Sequence, residues 1–454
     1  MLSHDDARKT ILVSCFFNLS VRNVLATDFF NKLRAQKDLC VVLLVPEKRG
    51  DFFRQEFGGD NITVEEVPSR PMSKINLAFH LLSWNLLKTR STKIDRIVQL
   101  GKDRNYFRYF LTGAINWFGG WAIVRQLFRY LDYRLMPAGG FDDIFRRYRP
   151  DAVFASDMQD LRVQELSDTY LVRAARRRGI FSVGMSRSWD SMTTKGLLRT
   201  LPDVLAVQTE DIKSQAVAYH SVPADKVAVV GVPHYDSYIV GSRTSRKDFF
   251  QKIGLDPNRK LVFFAPPSDI WTGDKSLNPY LLKIIARLGE QVVVRFPIFG
   301  ELSVGDFVAP PYIVFDRPDN SARLEESLLS RHDDAHFADL IYHSDLVVTG
   351  PSSVILDAAM FGKPTVLIGF DGEKVKPYWQ RLSRYYDYEH QESAIRAGGI
   401  KIARNSEELL EYIKEYLARP EAGREIRRKL AESFCRNLDG RSGARLADIV
   451  LKNL

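Results

Sequence analysis

The sequence predicts an α/β protein with two domains, each built on a parallel β-sheet that helices cover on both faces. Three observations predict this class. The chain has 454 residues, too many for one ordinary hydrophobic core. Apolar runs of strand length alternate with helical patterns along almost all of it. These runs are continuous rather than alternating, which is typical of strands buried on both faces.

Twelve apolar runs have the length and composition of buried strands. The helical patterns between them place apolar residues on one side, as in residues 168–180, where Gly179 is the predicted C-cap. Strands joined by helices predict parallel pairing. In chain order, the strand-like runs begin at Ile11, Leu39, Ile62, Asp151, Phe181, Asp203, Lys226, Leu261, Gln291, Tyr312, Asp345 and Thr365.

A short polar segment with Gly and Ser, residues 238–249, is the predicted hinge. The first domain is therefore predicted to cover residues 1–240 and the second residues 249–424. Residues 425–454 are predicted to form helices that pack back on the first domain. Within the first domain, residues 71–137 break the strand–helix alternation and have the pattern of helices crowded with aromatic residues and arginine.

Two interpretations of this helical insertion remain open. One is a subdomain with its own packed core. The other is a membrane-interfacial face, with Trp117, Phe118 and Trp121 at the level of the lipid headgroups, although the Gly119–Gly120 pair would interrupt such a helix. The basic residues assigned to anionic lipid in the second interpretation are Arg108, Arg125, Arg129 and Arg134.

Composition limits the function classes. Lys and Arg number 65 and Asp and Glu 56, a net charge of +9 that favours anionic partners without choosing among nucleotides, phosphorylated acceptors, lipid heads and nucleic acid. No apolar run is long enough to span a membrane, and the N-terminus lacks the features of a signal peptide. The 3 cysteines are widely spaced and suggest neither disulfides nor a metal site. We expect a cytoplasmic, reduced protein.

The segment that follows the strand at Asp345 is a predicted anion site. Ligands of parallel sheets bind beyond the carboxyl ends of the strands. Here the strand is followed by Ser352 and Ser353, which begin a helix whose unpaired N–H groups favour an anion. Asp357 lies one turn further along the same helix face, and its carboxylate suits two adjacent sugar hydroxyls. The alternative is an ordinary N-cap followed by a solvated aspartate.

Residues 344–368, SDLVVTGPSSVILDAAMFGKPTVLI, resemble the S/T-D-x-S-S…(D/E)-A…K-P signature in the second domain of GT-B nucleotide-sugar transferases. The segment is most similar to the CDP-glycerol glycerophosphotransferase family and related surface-polysaccharide transferases. Together with four further stretches in the same order, the motifs extend from residue 11 to residue 370. Those stretches are SCFFNLSVRNVLATDFF (14–30), RSWDSMTTKG (187–196), VVGVPHYD (229–236) and FFAPPSDIW (263–271).

The resemblance implies a GT-B fold, in which two Rossmann-like domains face each other across a cleft, with the helical insertion in the N-terminal domain. It implies that Ser352 and Ser353 bind the donor pyrophosphate. Asp357 would bind the ribose or the transferred polyol. The other residues that it places on the donor side are Thr349, Gly350, Arg295, His234 and Pro266.

The resemblance also implies catalytic residues. Asp190 stands where the glycerol-phosphate polymerases carry a histidine base, and an aspartate can serve as general base; the alternative is an Asx turn. Asp157 is a second candidate base, with a helix N-cap as its alternative. Lys195 or Arg187, in a predicted mobile loop, would neutralise the leaving diphosphate, unless both are solvated. The remaining residues of the acceptor side and the loop are Arg22, Asn23 and Trp189.

Three departures from the family pattern affect the substrate. Gly350 replaces an aspartate, His234 replaces an arginine, and Pro297 replaces a histidine two residues after the retained Arg295. These losses argue against CDP-glycerol and for a sugar nucleotide. They also leave room for a non-catalytic copy of the enzyme.

The predicted activity is metal-independent and cofactor-independent glycosyl transfer from a nucleotide diphosphate sugar. The acceptor would be a hydroxyl of a cell-surface polysaccharide or its lipid-linked precursor. Three alternatives remain open: a polyol-phosphate transferase, a non-hydrolysing UDP-sugar 2-epimerase and a non-catalytic scaffold of a polysaccharide assembly complex. Peripheral contact with an anionic membrane is a further expectation.

Other site classes have weaker support. His332 and His336 are spaced i, i+4, but no third metal ligand follows at a clear spacing. The sequence contains neither a P-loop motif nor G-x-G-x-x-G after the first strand. The basic run at 173–178 lacks interleaved aromatic residues, so a solvated helix face is favoured over nucleic-acid binding.

Overall fold

The computed structural model describes residues 8–137, 140–159, 164, 166–298, 300–318, 331–373, 375–435 and 438–454. The chain divides into two compact units. The first unit contains residues 1–96, 105–237 and 435–454, and the second contains residues 97–104 and 238–434.

The first unit is built on a parallel sheet of seven strands in the order β3-β2-β1-β4-β5-β6-β7. The order reverses between β1 and β4, where Ile11 of β1 pairs with both Val41 and Ala152. A reversal of this kind opens a crevice at the carboxyl ends of the two strands. The strands are β1 (Lys9–Ser14), β2 (Leu39–Pro46), β3 (Ile62–Val67), β4 (Ala152–Ala155), β5 (Phe181–Met185), β6 (Val204–Val207) and β7 (Val227–Val229).

The second unit repeats this topology with a parallel sheet of six strands in the order β10-β9-β8-β11-β12-β13. Its reversal lies between β8 and β11, where Thr349 pairs with Ala265 at the carboxyl ends. The strands are β8 (Leu261–Ala265), β9 (Gln291–Arg295), β10 (Ile313–Asp316), β11 (Leu346–Thr349), β12 (Thr365–Ile368) and β13 (Ile400–Ala403).

Helices connect the strands. In the first part of the chain they are α1 (Asn18–Ser20), α2 (Asp28–Arg34), α3 (Gly50–Phe57), α4 (Lys74–Leu86), α5 (Arg90–Asp103), α6 (Tyr106–Phe118), α7 (Ala122–Leu135), α8 (Asp142–Tyr148), α9 (Asp168–Arg177), α10 (Ser191–Thr194) and α11 (Glu210–His220). The later helices are α12 (Asp236–Val240), α13 (Arg246–Ile253), α14 (Asp269–Thr272), α15 (Leu277–Ala286), α16 (Arg331–His343), α17 (Val354–Met360), α18 (Glu389–Ala397), α19 (Ser406–Ala418), α20 (Arg424–Cys435) and α21 (Ser442–Leu451). A π-helical turn covers Val21–Leu25, and 3-10 turns cover Ala224–Lys226, Pro233–Tyr235, Tyr378–Gln380 and Leu382–Asp387.

The predicted α/β class with two parallel sheets is confirmed, and each of the twelve predicted runs forms a strand. Sequence reasoning missed β13. That strand is short, three of its four residues are only half-buried, and a lysine follows its first isoleucine. It pairs on one side only, with β12. An edge strand of this kind lacks the continuous apolar run that identifies a central one.

Within the helical insertion, α6 and α7 pack on the end of α4. Asn116 of α6 donates to the carbonyl oxygens of Leu87 and Asn85, at 2.6 and 3.1 Å. Phe128 of α7 is buried in a small cluster with Leu86. Between the two helices, a Cβ at Gly119 would collide with the carbonyl oxygen of Leu86. Glycine there permits the close approach.

Two arginines that one interpretation assigns to lipid point into the protein instead. Arg125 is buried and donates from Nε to the Ser221 hydroxyl at 2.8 Å. Arg129 donates to the carbonyl oxygens of Leu198 and His220. Burial lowers the pKa of Arg129 to about 10. The assignment of these two side chains to a membrane face is therefore wrong, because each one holds the insertion to the first unit.

A buried charge cluster also ties the insertion to the first unit. The Asp132 carboxylate of α7 pairs with Arg173 of α9 and with Arg199, whose Nε donates to it at 3.0 Å. Arg199 Nη2 donates to the Asn76 amide oxygen of α4 at 2.8 Å. All four side chains are buried. Two guanidinium groups with little access to solvent therefore share one carboxylate, which offsets only one of their two charges.

The last helix, α21, belongs to the first unit. The Asp236 carboxylate accepts from the backbone N–H groups of Ser442 and Gly443, at 3.0 and 2.7 Å. An ion pair of 3.0 Å joins Lys32 to Asp448. Carboxylate capping of the first N–H groups of a helix complements its dipole, and it anchors the end of the chain to this unit.

Stability of the first unit is expected to decrease as the pH falls below about 6.5. His220 is fully buried, its Nδ1 accepts from the N–H of Leu198, and its Nε2 donates to the carbonyl of Met192. Burial lowers the pKa of His220 to about 3. Between these two pH values the unfolded chain binds a proton that the folded chain excludes. The loss of stability is at most about 1.4 kcal/mol per pH unit.

Urea unfolding at pH 7 and pH 5 measures this effect. The wild type should lose more stability between the two pH values than His220→Gln, because only the wild type carries the buried histidine. The carboxylates contribute equally to the pH dependence of both proteins. His332→Gln, at an exposed position, should behave as the wild type. Equal pH dependence of wild type and His220→Gln would contradict the prediction.

Candidate functional site

In the first unit, the carboxyl ends of three neighbouring strands meet around a buried ion pair. Arg187, which follows β5, donates from Nη1 to Asp157 Oδ2 at 2.7 Å, and Asp157 follows β4. The Arg187 guanidinium lies 4.1 Å from the ring centre of Phe17, which follows β1. The pair therefore occupies the point where the strand order reverses, the usual ligand position in such sheets.

A second ion pair lies three residues beyond Arg187. The Asp190 carboxylate contacts the Lys195 ammonium at 3.1 Å, and Lys195 also donates to the hydroxyls of Ser188 and Ser191, at 3.0 and 3.2 Å. Asp190 further accepts from the Thr194 hydroxyl at 3.3 Å. Burial lowers the pKa of the Lys195 amine, and the charge of Asp190 opposes this shift. The carboxylate is held by several donors in one position.

The alternative that Lys195 and Arg187 are simply solvated is wrong. Their side chains are only 8% and 9% exposed, and each is paired with a carboxylate. Asp190 does not cap α10 through its side chain. Of the two candidate bases, Asp190 is 26% exposed at its side chain and Asp157 only 2%. Asp190 is thus the carboxylate that an acceptor can reach without rearrangement of the protein.

The loop at residues 186–197 is held by the helical insertion, whereas the sequence predicted a mobile loop. Thr89 donates from its hydroxyl to the carbonyl of Thr193 at 2.7 Å. Trp84 donates from Nε1 to the carbonyl of Thr194 at 3.3 Å. Sequence reasoning missed these residues because they precede the loop by about a hundred positions and belong to no motif. The insertion therefore positions the loop that carries Asp190.

The other predicted residues of this side lie around the same loop. Asn23 donates from Nδ2 to the carbonyl of Arg187 at 3.4 Å. Arg22 is half-buried in the same π-helical turn. Trp189 packs against a buried cluster between β4, β6 and α11. The turn after β1 and the loop after β5 are therefore in contact.

A small cavity of about 30 Å³ lies beside Lys195. Helix α4 contributes His80 and Ser83 to its wall, and Gln159 and Arg199 line it from the other side. This volume holds about two water molecules. It is too small for a sugar ring, so the cavity is not itself an acceptor site.

In the second unit, the turn after β11 lies at the strand-order reversal. Thr349 donates its hydroxyl to the carbonyl of Ala265 at 2.8 Å, which joins the ends of β11 and β8. Pro266, directly after β8, is buried. A Cβ at Gly350 would approach the Cβ of Pro267 to 3.1 Å. Gly350 therefore fits a close contact that an aspartate would disturb.

Ser352 and Ser353 follow this turn at the start of α17. Ser352 Oγ accepts from the N–H of Val354 at 3.3 Å, and Ser353 is the N-cap residue. Ser352 is half-buried and Ser353 exposed. Both hydroxyls lie at the carboxyl edge of the sheet, where the sequence predicts them. Their contact with a donor phosphate stays a prediction.

Asp357 is fully buried, so the alternative of a solvated carboxylate is wrong. Its Oδ1 accepts from the Tyr238 hydroxyl at 3.1 Å. The Tyr238 ring stacks on Phe361 with ring centres 4.8 Å apart. In this structure Asp357 therefore joins the turn of α17 to the start of the second unit, and its contact with a ribose or polyol stays a prediction.

Arg295 ends β9 in a buried ion-pair cluster. It donates to Asp316 at 2.6 Å and to both oxygens of Asp333, at 2.6 and 2.7 Å. His336 Nε2 lies 3.1 Å from Asp316 Oδ1. These carboxylates occupy both terminal nitrogens of the guanidinium, so a donor contact would require the cluster to open.

His234 lies in the first unit, within a 3-10 turn. It is buried, and its ring centre lies 4.0 Å from that of Tyr235. The remaining donor-side residues that the resemblance names belong to the second unit. A donor role for His234 stays a prediction.

Among the described residues, no group of three or more His, Cys, Asp or Glu side chains could hold a metal ion. The two histidines of the weak metal motif have other neighbours: Lys252 lies 3.4 Å from His332, and Asp316 contacts His336. Over the same part of the chain, no helix is both long and apolar enough to cross a membrane.

Residues 200–452 match the family model described as CDP-glycerol:poly(glycerophosphate) glycerophosphotransferase. The chain belongs to this family. The match covers more than half of the chain and includes Ser352, Ser353 and Asp357. Membership in this family and the fold together make the chain a GT-B glycosyltransferase-like protein. No curated protein sequence matches the chain.

Solved structures extend the similarity over the fold. UDP-GlcNAc 2-epimerase from Neisseria meningitidis is 14% identical, with a TM-score of 0.55, over 98% of this chain and 100% of its own. The S. aureus MnaA–UDP complex is 13% identical with a TM-score of 0.53, and 98% of each chain is covered. The 2-epimerase from Methanocaldococcus jannaschii is 11% identical with a TM-score of 0.52, over 98% of this chain and 99% of its own. Such identities show the fold alone, which is GT-B with two Rossmann-like domains.

Proposed function

We propose that this protein transfers a glycosyl group from a nucleotide diphosphate sugar to a hydroxyl of a cell-surface polysaccharide or its lipid-linked precursor, without a metal. One observation carries the proposal: a partly exposed carboxylate, Asp190, is held beside Lys195 at the carboxyl edge of the first sheet. By the resemblance described above, Asp190 stands where the glycerol-phosphate polymerases carry their histidine base. The departures at Gly350, His234 and Pro297 favour a sugar nucleotide over CDP-glycerol.

In the proposed reaction, the acceptor hydroxyl attacks the anomeric carbon while the bond from that carbon to the diphosphate oxygen breaks. The hydroxyl proton passes to the Asp190 carboxylate. The electron pair of the broken bond leaves with the nucleoside diphosphate. The hydroxyls of Ser352 and Ser353 and the first N–H groups of α17 stabilise this anion.

The acceptor of this reaction is proposed to lie on the cytoplasmic side of the cell, at the inner face of its membrane. Surface polysaccharides are large and polar, and their lipid-linked precursors are held in the membrane. The positive net charge of +9 supports partners that carry phosphate.

A donor panel tests the proposal. Thermal shift and calorimetry with UDP-, GDP- and dTDP-sugars and with CDP-glycerol should identify one sugar nucleotide that binds more tightly than CDP-glycerol. Transfer to a polysaccharide acceptor should then require that donor and persist in EDTA. If no nucleotide raises the melting temperature, the protein is a scaffold. If NMR shows a UDP-N-acetyl sugar converted without any acceptor, it is a 2-epimerase.

A polyol-phosphate transferase is the second candidate, and the family match over residues 200–452 favours it. In that reaction the acceptor hydroxyl would attack phosphorus, and CMP would leave. Binding of CDP-glycerol in preference to every sugar nucleotide in the same panel would decide for it.

Donor binding should depend on the two serine hydroxyls of the second unit. The double substitution Ser352→Ala/Ser353→Ala removes two donors to a charged phosphate, and UDP should bind about 10- to 100-fold more weakly in calorimetry. Ser433→Ala is a matched control, because this serine is exposed on α20 in the same unit. Unchanged UDP affinity in the double variant would remove the phosphate assignment.

A further inference from the structure

Helices α6 and α7 present a dense apolar face to solvent. A soluble protein normally buries side chains of this size or exposes them singly. Here they are concentrated on two consecutive helices, each of which also has buried residues on another side. The exposed large apolar residues between positions 106 and 135 are Tyr106, Phe107, Phe110, Leu111, Trp117, Phe118, Trp121, Ile123, Leu127, Tyr130, Leu131 and Leu135.

Their spacing shows that these side chains share one face of each helix. On α6, Phe107, Leu111 and Phe118 recur at the helical period, and on α7, Ile123, Leu127 and Tyr130 do the same. The opposite faces carry Asn116, which donates to the carbonyl of Leu87, and Phe128, which is buried in a cluster with Leu197. The exposed side chains of these two helices are here called the α6–α7 face.

The charge around the α6–α7 face is positive. Asp132 is the one carboxylate between positions 106 and 135, and it is buried between two arginines. Arg134 is exposed near the end of α7, with its guanidinium 5.5 Å from the ring centre of Tyr130. Lys88 is exposed, and its Nζ lies 3.1 Å from where a Cβ of Gly120 would be. No carboxylate of this stretch faces outward.

We propose that the α6–α7 face binds the surface of an anionic lipid bilayer, with its apolar side chains below the headgroups. Trp117, Trp121, Tyr106 and Tyr130 carry amphipathic rings, which are typical of the membrane–water interface. Lys88 and Arg134 would meet lipid phosphates. A protein partner is less well suited, because protein interfaces carry about one hydrogen bond per 100–200 Å² and this face has few polar groups.

The hairpin would lie on the membrane and not cross it. Helix α6 has 13 residues and α7 has 14, so each is about 20 Å long. The hydrocarbon core of a bilayer is about 30 Å thick. The helices are therefore too short to span, whereas a face of this width suits insertion of about 5–10 Å.

Vesicle flotation of the full chain tests this inference without donor or acceptor, so its outcome is independent of the proposed reaction. The wild type should float with vesicles of phosphatidylglycerol and phosphatidylcholine, and more weakly with phosphatidylcholine alone. Trp117→Ala/Trp121→Ala should reduce binding at least tenfold. Arg134→Gln should weaken binding to the anionic vesicles selectively, because it removes a cation and leaves the aromatic residues in place.

Trp271→Ala is the matched control, because Trp271 is 61% exposed in the second unit and Trp117 is 52% exposed. It should bind vesicles as the wild type does. Circular dichroism should show equal melting temperatures for all variants. Absence of wild-type flotation, or equal flotation of the double variant, would overturn the proposal. So would a dimer in light scattering that Trp117→Ala/Trp121→Ala dissociates, since a second copy would then cover the face.

Discussion

Replacing Asp132 by alanine is expected to lower the free energy of unfolding of the first unit by about 3–5 kcal/mol. The substitution removes the one carboxylate that pairs with both Arg173 and Arg199. Their side chains are 0% and 5% exposed, so water cannot replace the lost partner. Burial already lowers the pKa of Arg173 to about 10, and the Asp132 charge opposes this shift.

Urea unfolding of the full chain, followed by circular dichroism and by tryptophan fluorescence, measures the change. Asp143→Ala is the matched control: Asp143 pairs with Arg146 on the solvent face of α8, where both side chains are more than three-quarters exposed. That variant should unfold as the wild type does, because exposed ion pairs contribute little. Asp132→Asn keeps the side-chain shape and should still be strongly destabilised. A loss below about 1 kcal/mol in both Asp132 variants would show that the buried guanidinium groups tolerate the loss of this partner.

Replacing Asp190 by asparagine is expected to reduce transfer at least about 100-fold, within the range that general-base catalysis contributes. Asparagine keeps the shape of the side chain and its contact with Thr194, but it cannot accept the acceptor proton. Because the substitution leaves the second unit untouched, donor affinity should stay near that of the wild type. The combination of lost turnover and retained donor binding separates a missing base from general damage.

Single-turnover kinetics and donor calorimetry on the same preparations provide the two readouts. Asp211→Asn is a suitable control, since Asp211 is an exposed carboxylate at the start of α11 in the same unit. Its turnover should match that of the wild type. If Asp190→Asn keeps full turnover, Asp190 is not the base, and Asp157→Asn becomes the next variant to measure. In that case the Arg187–Asp157 pair would have to open during the reaction.

The sequence by itself was sufficient for the fold class and for most strands, because the apolar runs of a doubly covered parallel sheet are local patterns. Strands such as β8, in which Val262, Phe263 and Phe264 are fully buried, can be predicted from a few consecutive apolar residues. The sequence also predicted that Ser352 and Ser353 lie just beyond the end of a strand, because the position of a turn relative to its strand is a local property as well. The edge strand β13 was not predicted because its pattern of apolar residues is weak.

Only the tertiary structure decided which polar side chains are accessible. Asp157 and Asp190 both follow strands of one sheet, yet an arginine thirty residues away buries the first, while the second keeps an exposed edge. Asp357 and Arg295 were predicted at a donor site and lie in buried contacts with Tyr238, Asp316 and Asp333. The apolar face of α6 and α7 likewise has the amino-acid composition of a buried core. Whether such a face is covered depends on partners far away in sequence, which no local pattern encodes.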